Sequence, residues 1–221
     1  MEHLGFSKNE SNFKIEGFPD AVKVIRVDGP LANRLSDLSL HKIDLDFADE
    51  CLDALNLVPN EPSVLKEALW RSAVIHFLKC FGDAGARFQL SPEKILKGEP
   101  AEALIAFKYF KDLRNKHLVH DENTYTQSIP GAILNKGDKS YKIEKIVCFA
   151  ARGITLGPEN YSNLKLLIQK TRNWVVSEFD QVCGSITTGL ESEPYSALRA
   201  RESANYRVPT IDEIPKNRKS P

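Results

Sequence analysis

The chain predicts a mainly α-helical fold: a bundle of four or five helices with a β-hairpin insertion and a short N-terminal strand. Three patterns carry that prediction. Leucines recur at three-, four- and seven-residue steps after Pro30; residues 63–81 are apolar around nearly the whole circumference of a helix; and after Pro158 the positions Tyr161, Leu164, Ile168, Thr171, Val175, Phe179 and Val182 alternate steps of three and four. At 221 residues one core suffices, since single domains of about 100–200 residues are usual and about 250 is not rare. Residues 1–203 are expected to form one helical domain, and residues 204–221, with their prolines and the basic end Lys216, Asn217, Arg218 and Lys219, a flexible tail.

Taken in order, residues 1–12 are polar and expected to fray. Residues 21–27 (AVKVIRV) are rich in β-branched side chains and bounded by glycine and proline, which predicts one short strand. Pro30 opens the first helix, whose stripe is Leu31, Leu35, Leu38, Leu45, Leu52 and Leu55, and Pro59 and Pro62 close it. A second helix over 63–81 belongs at the centre of a bundle, because no face of it is polar, and the run Gly82, Asp83, Ala84 and Gly85 ends it. After a polar connector, Pro100 suits the first turn of a third helix, in which Leu104, Phe107, Phe110 and Leu113 face inward.

From 127 to 152 the period changes to two. Residues 129–134 and 141–149, with a glycine-containing turn at 135–138, predict a hairpin inserted between helices. The fourth helix starts at Pro158, and a weaker one is expected over 192–202.

Composition narrows the function classes. Thirty basic residues balance thirty acidic ones, so no global field draws the chain to nucleic acid or an anionic membrane, and a polyanion must be held by a local patch. No run approaches the about 18 apolar residues of a membrane span, and the N-terminal residues MEHLGFSKNESNF lack the basic-then-apolar order of a signal peptide. A cytoplasmic protein without membrane contact is expected. Cys51, Cys80, Cys148 and Cys183 contain no CxxC pair, and buried, reduced thiols are expected of all of them.

The densest chemistry lies in residues 107–125 (FKYFKDLRNKHLVHDENTY), where Arg114, Asn115, Lys116, His117, His120, Asp121 and Glu122 follow an apolar helical run. Cations at a helix C-terminus are favoured by the macrodipole, so part of the cluster needs no function. The rest suits phosphate chemistry. An imidazole exchanges protons near neutral pH, and a guanidinium can hold two phosphate oxygens while charge builds on them. Those groups can cleave RNA through its own 2′-hydroxyl with no metal and no cofactor, leaving a 2′,3′-cyclic phosphate.

Winding poses a difficulty. On an unbroken helix Arg114 and His120 sit about 120° apart, whereas Arg114, His117 and Asp121 share one stripe. Either the helix ends near Val119, or arginine and histidine work across a dimer interface; spacing alone favours His117. A second R-x4-H match, Arg71 to His76, lies within the apolar second helix. Its polar ends are expected to be hydrogen-bonded there, with Arg71 also a candidate auxiliary phosphate contact. His117, His120 and Asp121 could hold zinc, but helical zinc pairs stand more typically four apart and no HExxH or distant ligand pair completes the set. No metal is expected.

The run Arg114-Asn115-Lys116-His117-Leu118-Val119-His120 resembles the R-N-x(3–5)-H motif of the HEPN superfamily, small helical-bundle proteins that include many metal-independent endoribonucleases of toxin–antitoxin and phage-defence systems. The resemblance extends to the setting near the end of a late bundle helix. It implies catalytic roles for Arg114, Asn115 and His120, with Lys116, His117 and Arg71 as binding candidates. It also implies a homodimer with RNA as substrate and leaves room for an antitoxin or defence-system partner. The superfamily includes members that bind without cleaving, so a non-catalytic dimerisation or nucleic-acid or nucleotide-binding module is the alternative. Intact Arg114, Asn115 and His120 favour the enzyme, and neutral overall charge favours the binder.

Overall fold

The computed structural model describes residues 6–9, 12–15, 17–59, 63–83, 87–120, 122–205 and 208–216. The fold is mainly helical: β1 (Phe6–Asn9), β2 (Asn12–Ile15), α1 (Pro30–Leu55), α2 (Val64–Lys79), α3 (Pro92–Ile95) and α4 (Ala101–Leu113) lead into a π-helical turn, Arg114–Val119. Then follow β3 (Thr126–Leu134), β4 (Ile143–Arg152), α5 (Pro158–Glu191), α6 (Tyr195–Ala200) and a 3-10 turn, Ile211–Glu213. Contacts divide the chain into two compact units, residues 1–39, 85–88 and 177–221, and residues 40–84 and 89–176.

In the first unit, Gly29 takes φ +100°, a left-handed conformation that favours glycine, and its carbonyl accepts the Asn33 N–H at 3.0 Å to start α1. Arg34 pairs with Glu178 at 2.5 Å and lies over the Phe88 ring. Residues 21–27 do not form the expected strand. They make an isolated bridge, Ile25 against Ser203, flanked by the Arg26 N–H on Glu202 and the Ala204 N–H on Val24. β-branched composition was not enough here, because a strand needs a partner along its length. The regular N-terminal hairpin is instead β1–β2, in the region expected to fray; residues 1–5, 10 and 11 lie outside the described residues. Within the expected tail, Thr210 and Glu213 close a capping box on the turn Ile211–Glu213, while 206–207 and 217–221 lie outside the described residues.

The second unit holds the main core and the candidate cluster. Leu45 and Leu52 of α1 are fully buried, as the stripe predicts, although Leu31, at the start of α1 in the first unit, is 44% exposed. Ser63 caps α2 by accepting the Lys66 N–H. The helix is not apolar all round in effect: Trp70, Ala73, Val74, Phe77 and Leu78 are buried, and Leu65 is exposed. Edge-to-face contacts join Phe77, Phe81 and Phe107, and Trp70 meets Phe110, so α4 is locked against α2 by aromatic rings. Trp70 donates its ring N–H to Thr155 at 2.9 Å, which accounts for that buried hydroxyl. Leu164, Ile168, Thr171 and Val175 of α5 are fully buried, following the predicted face.

The hairpin exists but is longer than the sequence suggests. Its strands run Thr126–Leu134 and Ile143–Arg152, joined through residues 135–142 rather than a four-residue turn. The cysteines are free, yet only Cys51 and Cys80 are buried, while Cys148 is exposed on β4 and Cys183 is half-buried. The expectation of four buried thiols fails for Cys148, which sits on a strand exposed along nearly its whole length, and for the half-buried Cys183 of α5.

Candidate functional site

The cluster is delivered by α4. Phe107, Phe110 and Leu113 anchor the helix to the core, and the chain then widens into the π-helical turn that holds Arg114, Asn115, Lys116, His117, Leu118 and Val119. Such turns are rare, usually single, and concentrate at functional sites. The turn ends at Val119. His120 is the first residue beyond it, at φ −115° and ψ −8°, and the Glu122 N–H returns to the Lys116 carbonyl at 2.6 Å. That bond satisfies one of the end carbonyls a helix otherwise leaves open.

The two histidines differ sharply in environment. His117 is 7% exposed and meets the edge of the Tyr125 ring at 5.4 Å, and its Nδ1 has no hydrogen-bond partner among the described residues. His120 is exposed. Arg114 is half-buried: its Nη1 donates to Asn115 Oδ1 at 2.8 Å, whereas its buried Nε is likewise without a partner. Lys116 lies 3.6 Å from Asp112, one turn back. Among the described residues no hydrogen bond joins Arg114 to His120.

Arg71 is engaged elsewhere. Its Nε donates to Glu67 at 2.5 Å, and the same carboxylate receives Arg152 at 2.5 Å. His76, the other end of that match, places Nδ1 2.8 Å from Asp44 Oδ1, which also accepts Lys79 at 3.0 Å, and its ring meets Phe47 edge-on. Asp121 lies outside the described residues, and among the described residues no cluster of three metal-ligating side chains occurs.

Several participants are not visible in the sequence pattern. Tyr125 covers His117, its hydroxyl donates to the Ile154 carbonyl, and its ring lies where a Cβ on Gly153 would fall, about 2.1 Å away. Gly153 is therefore required for that ring position. Asn160 donates to Tyr109 at 3.0 Å, and burial pushes the Tyr109 hydroxyl above its ordinary pKa despite that bond. The order aromatic–x–glycine across a hairpin gives no local signal; these contacts depend on register.

Chemically, the arrangement offers a fixed guanidinium, an exposed imidazole at the end of the turn and two buried nitrogens with unused hydrogen-bonding capacity. No protein-family model matches the chain, and neither the curated proteins nor the solved structures contain a significant match.

Proposed function

We propose that this chain is a HEPN-like, metal-independent endoribonuclease working at Arg114, Asn115 and His120. The observation that carries the reading is the π-helical turn over Arg114–Val119, an unusual backbone at the position of the R-N-x-x-x-x-H run. Arg114, steadied by Asn115, holds the non-bridging oxygens of the scissile phosphate. His120 takes the proton of the 2′-hydroxyl as its oxygen attacks phosphorus, and the departing 5′-oxygen receives a proton in turn. The products are a 2′,3′-cyclic phosphate and a free 5′-hydroxyl. Because no hydrogen bond joins Arg114 to His120 among the described residues, the proposal includes a two-fold cleft in which each arginine serves the partner's histidine, so that one imidazole acts as base and the other as acid. A role in toxin or phage-defence systems is the setting the family resemblance implies.

The second reading is a HEPN-like module that dimerises or binds nucleic acid or nucleotide without cleaving it. The neutral overall charge favours it, since a nuclease for bulk RNA would usually carry a more basic surface. Incubation of the purified chain with single-stranded RNA in excess EDTA separates the two: cleavage lost in His120→Ala supports the enzyme, and binding without cleavage supports the module.

A further inference from the structure

Among the described residues, the hairpin β3–β4 carries apolar side chains on both faces and is exposed along nearly its whole length. Cross-strand partners Ile129 and Phe149 lie on one face, and Ile146, opposite Ala132, on the other; Phe149 is 67% and Ile146 65% exposed. A two-stranded ribbon alone is marginally stable, and further strands or packing against a helix are needed to hold it.

The hydrogen-bond register shows which edge is open. The Gly153 N–H donates to the Tyr125 carbonyl at 2.8 Å, which makes that couple a hydrogen-bonded pair. The register runs unbroken from Thr126 opposite Arg152 to Ile133 opposite Lys145. Alternation along an antiparallel ladder then places Pro130 and Cys148 at a non-hydrogen-bonded pair, with their backbone groups turned outward. On β3 the outward position at the centre is thus held by a proline, which has no N–H to give. On β4 the outward groups of Ile146, Cys148 and Ala150 are intact, in a strand with no proline. An open apolar edge of this kind invites another strand.

The sequence of β4 fits a second copy of itself. With antiparallel pairing about a two-fold axis at Cys148, Phe149 faces the partner's Val147, Ala150 the partner's Ile146, and Arg152 the partner's Glu144. Apolar groups meet apolar groups, and opposite charges close both ends. Moving the axis to Val147 would set Arg152 against the partner's Lys142. Arg152 already gives Nη2 to Glu67 of its own chain, which leaves the rest of its donor fork for the partner's carboxylate.

We propose that two copies of this chain join through β4 into a four-stranded antiparallel sheet with its two-fold axis at Cys148. The interface stands independently of the chemistry at Arg114 and His120.

Sedimentation of the full chain, followed by a short-spacer bismaleimide, tests the proposal. A directly opposed cross-strand pair sits about 5.5 Å apart between Cα atoms, within reach of the reagent. A dimer is expected, linked covalently in wild type and not in Cys148→Ser. Ala150→Pro removes an outward N–H that β3 does not use and should leave a folded chain that the reagent no longer links through Cys148. Should that variant fail to fold, Glu144→Lys at an exposed position reads the same interface and should weaken the dimer about tenfold, since it turns two opposite-charge pairs into like-charge ones. A monomer at every soluble concentration overturns the proposal, as does a dimer that Cys148 does not link or that Glu144→Lys leaves unchanged.

Discussion

Arg114 Nη1 donates to Oδ1 of Asn115 at 2.8 Å, so the guanidinium and carboxamide of consecutive residues form one polar unit at the start of the π-helical turn. The bond fixes the plane of the guanidinium before substrate arrives. Asn115→Ala should therefore lower RNA cleavage by about 10- to 100-fold through misplacement of the arginine, with KM rising more than kcat falls. Steady-state kinetics beside a melting curve check this; an unaltered KM with a lowered Tm would mean that Asn115 is only structural.

Among the described residues, the buried Nε of Arg114 and Nδ1 of His117 lack partners, and an unsatisfied buried polar group costs about 1–3 kcal/mol. His117→Leu should accordingly raise Tm by about 2–4 °C per kcal/mol recovered, and Arg114→Met should melt at or above wild type while losing RNA binding. Calorimetry of the two variants decides, and a clear drop in Tm for both would show that those nitrogens are satisfied in solution.

Arg71 behaves differently because its side chain is only partly buried and shares Glu67 with Arg152. Central-helix placement alone would suggest a large penalty for losing it. The exposed geometry instead puts Arg71→Ala within about 1 kcal/mol of wild type, measured by denaturant titration, with a greater loss pointing to a buried role.

Asp44 links α1 to α2 by accepting from both His76 and Lys79. Asp44→Ala should destabilise by about 1–3 kcal/mol while the folded fraction keeps its cleavage activity. If activity vanishes with the fold intact, the working histidine is His76 rather than His120.

Lys165 spans Asp49 at 2.7 Å and Asp53 at 2.6 Å, tying α5 to α1 within the second unit. Burial lowers its pKa, but the two carboxylates outweigh that and hold it above the ordinary lysine value. A folded pKa above the unfolded value of about 10.4 means that this stabilisation is complete below about pH 10.4 and is lost as pH rises through the folded pKa. The difference in stability between wild type and Lys165→Met should thus be constant at neutral pH and shrink on the alkaline side. A constant difference throughout would contradict the shift.

Much of the helical scaffold was legible because it rests on local periodicity: Leu38, Leu45, Leu52, Leu164, Ile168 and Val175 are buried at the predicted steps. Winding was not. The π-helical turn follows the same residue types an α-helix would carry, so composition does not announce it. Residues 21–27 were misread because strand formation depends on a partner far along the chain, Ser203 in this case. In the candidate site, Arg114, Asn115 and His120 stood out by residue type and by the motif they resemble, while helical spacing alone pointed to His117; the burial of His117 under Tyr125 and the pairing of His76 with Asp44 rest on contacts that no short motif encodes.

The decisive measurement is the 3′ end left on single-stranded RNA after incubation with the purified chain in excess EDTA. A 2′,3′-cyclic phosphate is expected, with the rate falling about 10²- to 10⁴-fold in His120→Ala, the range that general acid–base catalysis contributes. No cleavage, cleavage abolished by the chelator, or an undiminished rate in His120→Ala would contradict metal-independent catalysis at this site.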